Sequence, residues 1–119
     1  MGTGSETRIG FTVIYRWRLH AGRERVFRAA WEEVTKELMA RRGALGSRLH
    51  KADDGTWVAY AQWANREAWE APRPLGPVFD SARELMQEAI AEAFEPLLLT
   101  PDSDHLVQGS IVTQEKQRT

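Results

Sequence analysis

Residues 11–20, Phe-Thr-Val-Ile-Tyr-Arg-Trp-Arg-Leu-His, decide how the rest of the chain is arranged. The segment is rich in aromatic and β-branched residues and predicts a β-strand. Its even-numbered positions are mostly polar, whereas its odd-numbered positions are all apolar or aromatic: Phe11, Val13, Tyr15, Trp17 and Leu19. Because successive side chains of a strand point to opposite faces, we expect the apolar face to point toward helices.

The hydrophobic pattern then changes to the period of a helix over residues 23–42, and Gly43 is suited to the left-handed position after its end. Two short strands, 44–52 and 56–63, flank the segment Asp53-Asp54-Gly55. The Asp-Gly pair is typical of a tight hairpin, because its turn needs positive φ.

The remaining segments complete the order of elements. Asn65 has the side chain of a helix cap and starts a short helical turn, after which three prolines interrupt regular structure in residues 71–77. A second long helix is predicted from about residue 78 to 94, and a final strand, interrupted at Pro101, from 97 to 107. The order is typical of the ferredoxin-like α+β fold, βαββαβ, with a four-stranded antiparallel sheet and two helices on one face.

Two helices cover only one face of such a sheet, and the other face still carries apolar side chains. Val58 and Tyr60 on the predicted third strand point to it, as does Ile14 on the first strand. Patches of this kind are commonly buried against another subunit. We therefore expect a homodimer whose two sheets pack face to face.

Length and charge exclude several classes of function. The chain has 119 residues and no cysteine, which suits one compact domain without disulfides, thiolate metal sites or a thiol nucleophile. Its 16 Lys and Arg and 17 Asp and Glu give a formal net charge of -1, so no overall field attracts nucleic acid or anionic lipid. No apolar run approaches the ~20 residues of a membrane span. We expect a cytoplasmic protein that binds neither nucleic acid nor membrane.

The two ends of the chain are polar and fall outside the predicted domain. Residues 1–8 are small and polar and predict a disordered lead-in, while residues 9–107 form the domain itself. Residues 108–119 form a C-terminal tail that ends in Glu-Lys-Gln-Arg-Thr, and we expect it to become ordered only against a partner.

Three stretches resemble one protein family: Thr12-Val-Ile-Tyr-Arg-Trp-Arg with Gly22, Phe27-Arg-Ala-Ala-Trp-Glu-Glu-Val, and Trp57-Val-Ala-Tyr-Ala-Gln-Trp followed by Arg66-Glu-Ala-Trp. They are similar to the antibiotic biosynthesis monooxygenase domain family, and the resemblance covers about residues 9–107. It implies a homodimer of the dimeric α+β barrel type, with pockets between each sheet and its helices. Some members oxidise polycyclic aromatic substrates with molecular oxygen and without metal or flavin, others degrade haem, and many have no established activity.

The resemblance to the haem-degrading branch fails residue by residue. That branch uses an Asn on the first strand, a Trp after the third strand and a His on the second helix. The matching positions here hold Tyr15, about Pro72, and Ala82 or Arg83. We therefore expect no haem at this site and no other cofactor.

Four residues are the candidates for chemistry. A neutral imidazole at His50 in the hairpin could abstract a phenolic proton near pH 7, or it could simply face solvent or the partner subunit. The Tyr15 hydroxyl could donate a hydrogen bond to a substrate carbonyl or enolate, or belong to a core tyrosine. Trp17 and Trp69 flank less regular structure and are candidates for contact with a flat aromatic substrate.

The other tryptophans and histidines are assigned to simpler roles. Trp31 and Trp63 are expected to be packing residues of the core. The histidines at positions 20, 50 and 105 show no metal-ligand spacing, so we expect no metal site.

Three functions remain open from the sequence. The first is a cofactor-independent monooxygenase, in which His50 or a water removes a phenolic proton, the anion reacts directly with oxygen, and Tyr15 stabilises the developing oxyanion. The second is a non-catalytic module that binds a small hydrophobic or aromatic molecule, or serves only as a subunit. The third is a cyclase or isomerase that uses the same pocket without oxygen.

Overall fold

The order of strands and helices along the chain is close to the one that the sequence predicts. The computed structural model describes residues 8–71, 74–107 and 109. Within these residues the elements are β1 (Phe11–Leu19), α1 (Glu24–Arg41), β2 (Ser47–Lys51), β3 (Trp57–Trp63), α2 (Arg66–Glu70), α3 (Pro77–Ala89), β4 (Ile90–Ala93) and β5 (Leu97–Leu99).

β1 is the central strand of an antiparallel sheet with the order β2-β3-β1-β4. One of its edges pairs with β3, from Phe11 opposite Trp63 to Trp17 opposite Trp57. The other edge pairs with β5 at residues 12–14 and with β4 at residues 17–19. β4 and β5 thus share the place of one fourth strand, and the predicted ferredoxin-like α+β fold is confirmed, with an open sheet in the single chain.

The two faces of β1 differ as its sequence predicts, except that Thr12 on the more polar face is also buried. Phe11, Val13 and Trp17 are buried, whereas Arg16 and Arg18 are exposed. The same alternation continues across the sheet into β3, where the buried residues are Trp57, Ala59, Ala61 and Trp63. α1 and α3 pack against each other over this buried face.

The second long helix ends earlier than the sequence predicts. α3 stops at Ala89 and Ile90–Ala93 form strand β4, so the prediction of a helix to residue 94 is wrong over these residues. The His20 amide donates to the Ala89 carbonyl at 2.9 Å, and the Phe94 amide donates to the Arg16 carbonyl at 3.0 Å. Pairing with the edge of β1 satisfies these backbone groups, and such tertiary context overrides the weak helical preference of the sequence.

The final strand is also shorter than predicted. Of residues 97–107, only Leu97–Leu99 form a strand, and residues 100–107 have no regular structure. Pro101 lacks an amide hydrogen and cannot donate to a neighbouring strand, and Pro96 interrupts the path between β4 and β5 in the same way.

Three local sequence signals, two for turns and one for a helix cap, predict structures that are confirmed. Gly43 follows α1 with φ of 80°, and Gly55 lies in the hairpin between β2 and β3 with φ of 90°. Asn65 caps α2, because its side-chain oxygen accepts a hydrogen bond from the Ala68 amide at 2.8 Å. Turn chemistry is therefore readable from the sequence even where element ends are not.

Parts of three predicted segments lie outside the described residues. They are the lead-in 1–8 apart from Arg8, the tail 108–119 apart from Gly109, and residues 72–73 of the proline-rich segment. In the described parts of the chain, no helix is long and apolar enough to cross a membrane.

The hairpin between β2 and β3 is held by a carboxylate. Asp54 accepts hydrogen bonds from the Thr56 hydroxyl at 2.7 Å and from the Thr56 amide at 3.0 Å. Both bonds favour the ionised carboxylate and lower the pKa of Asp54 from its usual 3.8, the hydroxyl bond most. A lowered pKa means that this stabilisation is present above about pH 4 and is lost as the pH falls through the folded-state pKa.

We expect the Asp54 carboxyl to titrate below pH 3.8 in the native protein and closer to 3.8 in Thr56→Val, which removes the hydroxyl bond but keeps the amide bond. Carbon-13 NMR of the side-chain carboxyl measures both values. A native Asp54 that titrates at or above 3.8, or a value unchanged in Thr56→Val, would contradict this assignment.

Candidate functional site

A cavity lies between the sheet and the two long helices. Its volume is about 320 Å³, which is within the range of small-molecule sites. Most of its lining is apolar, and five aromatic side chains contribute to it: Tyr15, Trp17, Trp31, Trp63 and Phe79. The polar side chains of the lining come from Thr35 on α1, Ser47 on β2 and Arg83 on α3.

Two clusters of buried hydrophobic residues lie in the described part of the chain. The first contains Trp17, Phe27, Trp57, Ala59 and Ala89, and the second contains Phe11, Val13 and Trp63. Tyr15 packs against both clusters. Trp17 meets Phe27 edge to face, with ring centroids 5.1 Å apart. Core packing therefore holds the rings of Tyr15 and Trp17 in place in the lining of the cavity.

The Tyr15 hydroxyl is held by a residue of the short helix α2. Trp69 Nε1 donates a hydrogen bond to Tyr15 Oη at 2.8 Å. The Trp69 ring lies 5.6 Å from the Phe11 ring, and the Tyr15 ring stacks on Trp17 at 5.7 Å with 5° between the planes. Since the hydroxyl accepts from Trp69, its own proton is directed away from the indole.

The structure brings three of the four predicted site residues together. Tyr15 and Trp17 line the cavity, and Trp69 contacts Tyr15 through the hydrogen bond. His50 lies elsewhere: it pairs with Val58, whose carbonyl oxygen is 3.3 Å from His50 Nδ1. Both residues belong to the sheet face opposite the helices, so within one chain the imidazole does not reach the cavity. The role of His50 as a base stays a prediction.

Other lining residues escaped the sequence analysis. Trp31 and Trp63, which the sequence predicts to be packing residues, also line the cavity. Arg83 is a further lining residue that the sequence-based predictions leave out. It follows Phe79 by four positions and precedes Met86 by three, and this spacing places all three on one side of α3. That helical stripe is the signal that points to Arg83.

The charges at the cavity are few. Among the described lining residues, only Arg83 carries a formal charge, and it is exposed. The described parts of the chain contain no group of three His, Asp or Glu side chains that could hold a metal ion. The lining combines aromatic surface, the side chain of Tyr15 and one guanidinium.

We expect Tyr15→Phe and Trp69→Phe to be coupled by about 1 kcal/mol in the free energy of unfolding, since either substitution removes the same hydrogen bond. Urea denaturation of both single variants and the double variant measures the coupling. Tyr60→Phe combined with Trp69→Phe is the matched control and should be additive, because Tyr60 lies on the opposite face. A coupling of zero for the first pair would contradict the hydrogen bond.

Several solved structures share this fold. SnoaB, a cofactor-independent oxygenase from Streptomyces nogalater, has a TM-score of 0.64 and 17% identity, covering 81% of this chain and 96% of its own. The ActVA-Orf6 monooxygenase of Streptomyces coelicolor, in complex with nanaomycin D, has a TM-score of 0.65 and 21% identity, covering 85% and 95%. Rv0793 from Mycobacterium tuberculosis has a TM-score of 0.63 and 20% identity, covering 79% and 96%.

Sequence comparison gives a result for the family and none for an individual protein. No curated protein sequence matches the chain. The structural likenesses, at these identities, show the fold alone. The model of the antibiotic biosynthesis monooxygenase family, however, matches residues 10–73, more than half of the chain, and the chain therefore belongs to this family.

Proposed function

We propose that the chain is a cofactor-independent monooxygenase that acts on a small, flat aromatic substrate in the cavity between the sheet and the helices. The observation that carries the proposal is the hydrogen bond from Trp69 to Tyr15 beside this aromatic cavity. Membership of the family supports it, and SnoaB, which shares the fold, is a cofactor-independent oxygenase.

In the proposed reaction the substrate supplies the electrons. A phenolic or enolic proton leaves, and the resulting anion reacts with molecular oxygen at a neighbouring CH₂ carbon. That carbon keeps one oxygen atom as a carbonyl, and its two hydrogens leave with the other oxygen atom as water. The described lining residues include no carboxylate or imidazole, so water accepts the first proton in this proposal.

The protein contributes orientation and a largely apolar surrounding. Tyr15 donates a hydrogen bond to the oxyanion that develops on the substrate, and Trp69 orients the hydroxyl for this purpose. The aromatic wall around Trp17 contacts the flat rings and displaces water, which strengthens the hydrogen bond from Tyr15. Tyr15, Trp17 and Trp69 are thus the proposed site residues.

The sheet face that the helices leave uncovered is the proposed dimer interface. On this face Leu97 pairs with Ile14 and Leu99 with Thr12, and Leu97 and Leu99 are 59% and 38% exposed. Tyr60 lies on the other side of Ile14. Burial of this apolar surface against a second copy favours association by about 25 cal/mol per Å². The cytoplasmic location stays a prediction.

Oxygen uptake tests the activity. The protein, treated with a chelator, is incubated with anthrones in an oxygen electrode, and the product is examined after reaction under labelled oxygen. We expect one labelled atom in the product and no hydrogen peroxide. Tight binding without oxygen uptake would favour a binding module, and product without oxygen uptake would favour a cyclase or isomerase.

We expect Tyr15→Phe to lower kcat by about 10- to 100-fold, because it removes the donor to the oxyanion. Trp69→Phe should lower kcat less, since it keeps the ring beside Phe11 and removes only the group that orients Tyr15. Tyr60→Phe, on the opposite face, is the control and should leave kcat unchanged. Full activity of Tyr15→Phe would contradict the proposed role.

We expect the native protein to sediment as a dimer and Leu97→Asp to sediment as a monomer, because a buried unpaired carboxylate opposes the interface. Leu85→Asp is the matched control: Leu85 on α3 is 47% exposed but lies in the helix layer, so this variant should remain a dimer. Analytical ultracentrifugation measures both. A native monomer, or a dimer in Leu97→Asp, would contradict the proposed interface.

A further inference from the structure

We propose that Arg83 makes the cavity selective for anionic aromatic molecules, those that carry a carboxylate or an acidic phenol ionised in solution. The inference rests on the proposed function, because both concern the same cavity. It adds that the cavity prefers molecules with a negative charge. Its starting point is that Arg83 is the single charged residue among the described residues of the lining.

The position of Arg83 places its charge opposite the sheet. Arg83 belongs to α3, in the helix layer, and lines the cavity together with Phe79 and Met86 of the same helix. Tyr15 lines the cavity from β1 in the sheet. A bound molecule between the two layers can therefore place one oxygen near the Tyr15 hydroxyl and a second, charged group near the guanidinium.

The charge of Arg83 is not neutralised by the described part of the protein. The ion pairs found there join Arg18 to Glu92, Arg41 to Glu37 and Arg66 to Glu70. Asp80 precedes Arg83 by one helical turn, yet no ion pair joins them. Glu84, the next residue, forms none with it either.

An arginine in this position suits a particular ligand chemistry. A guanidinium keeps its charge across the physiological pH range and presents a planar fork of donors that matches two oxygens of a carboxylate. The apolar, aromatic lining receives the rings of the same molecule. Because Arg83 is exposed, it lies where a charged group of the ligand can keep part of its hydration. We therefore expect a moderate, salt-dependent preference rather than absolute selection.

Two fluorescent probes test the preference without a known substrate. Anilinonaphthalene sulfonate and phenylnaphthylamine share the same ring system and differ in the sulfonate, so their affinities isolate the effect of the charge. We expect the native protein to bind the sulfonate probe about five- to tenfold more tightly at low salt, and the difference to shrink at high salt. The NMR signals of the Trp17, Trp31 and Trp63 indoles identify the cavity as the binding place.

Substitutions assign the preference to Arg83. Arg83→Gln should bind both probes equally, whereas Arg83→Lys should keep part of the preference because it keeps the charge. Arg25→Gln is the matched control, since Arg25 is an exposed arginine of α1 outside the cavity lining. Circular dichroism checks that each variant folds, and the two substitutions at position 83 provide independent comparisons.

The outcomes separate this inference from the proposed function. Equal affinity of the native protein for both probes, or an unchanged preference in Arg83→Gln, would overturn the selectivity but leave an aromatic cavity in place. If neither probe shifted the three indole signals, the cavity would not bind aromatic molecules, and both proposals would be overturned. A preference that Arg25→Gln keeps and Arg83→Gln loses supports the inference.

Discussion

The pairing of β1 along both edges is the constraint on which the rest of the structure depends. One edge is taken by β3, and the other is shared by β4 and β5, so the strand is fixed in register over most of its length. Since side chains alternate along a strand, this register commits Tyr15 and Trp17 to the helix side and Arg16 to the other side. The site residues of β1 are positioned by the same hydrogen bonds that build the sheet.

The cavity follows from how large rings fill the space between sheet and helices. Trp17 and Trp63 of the lining each belong to one of the two buried clusters, and the space beside them stays open. Unfilled apolar space in a close-packed interior lowers the free energy of unfolding. A binding site is a common reason for a protein to retain such space. Trp69 adds a specific element, because its hydrogen bond orients the hydroxyl of Tyr15, a residue of the cavity lining.

The sequence predicts those features that depend on local chemistry. The alternation in β1, the Asp-Gly hairpin and the Asn65 cap each have a local physical cause and are confirmed. The end of α3 could not be predicted, because residues 90–93 exchange helix for strand only when the edge of β1 is available. The role of Arg83 could not be predicted for a related reason. It is a charged residue within an apolar helical stripe, and only the structure shows that it lines a cavity.

The binding role of the cavity is tested best by a crystal structure with a flat aromatic acid, such as an anthraquinone carboxylate, bound to the protein. The expected result is that the rings lie between sheet and helices beside Trp17, with a ligand oxygen within hydrogen-bond distance of Tyr15 Oη. A ligand seated instead in the outer groove between α1 and α3, beside Val26 and Leu85, would contradict it. So would a ligand inside the cavity with no oxygen near Tyr15.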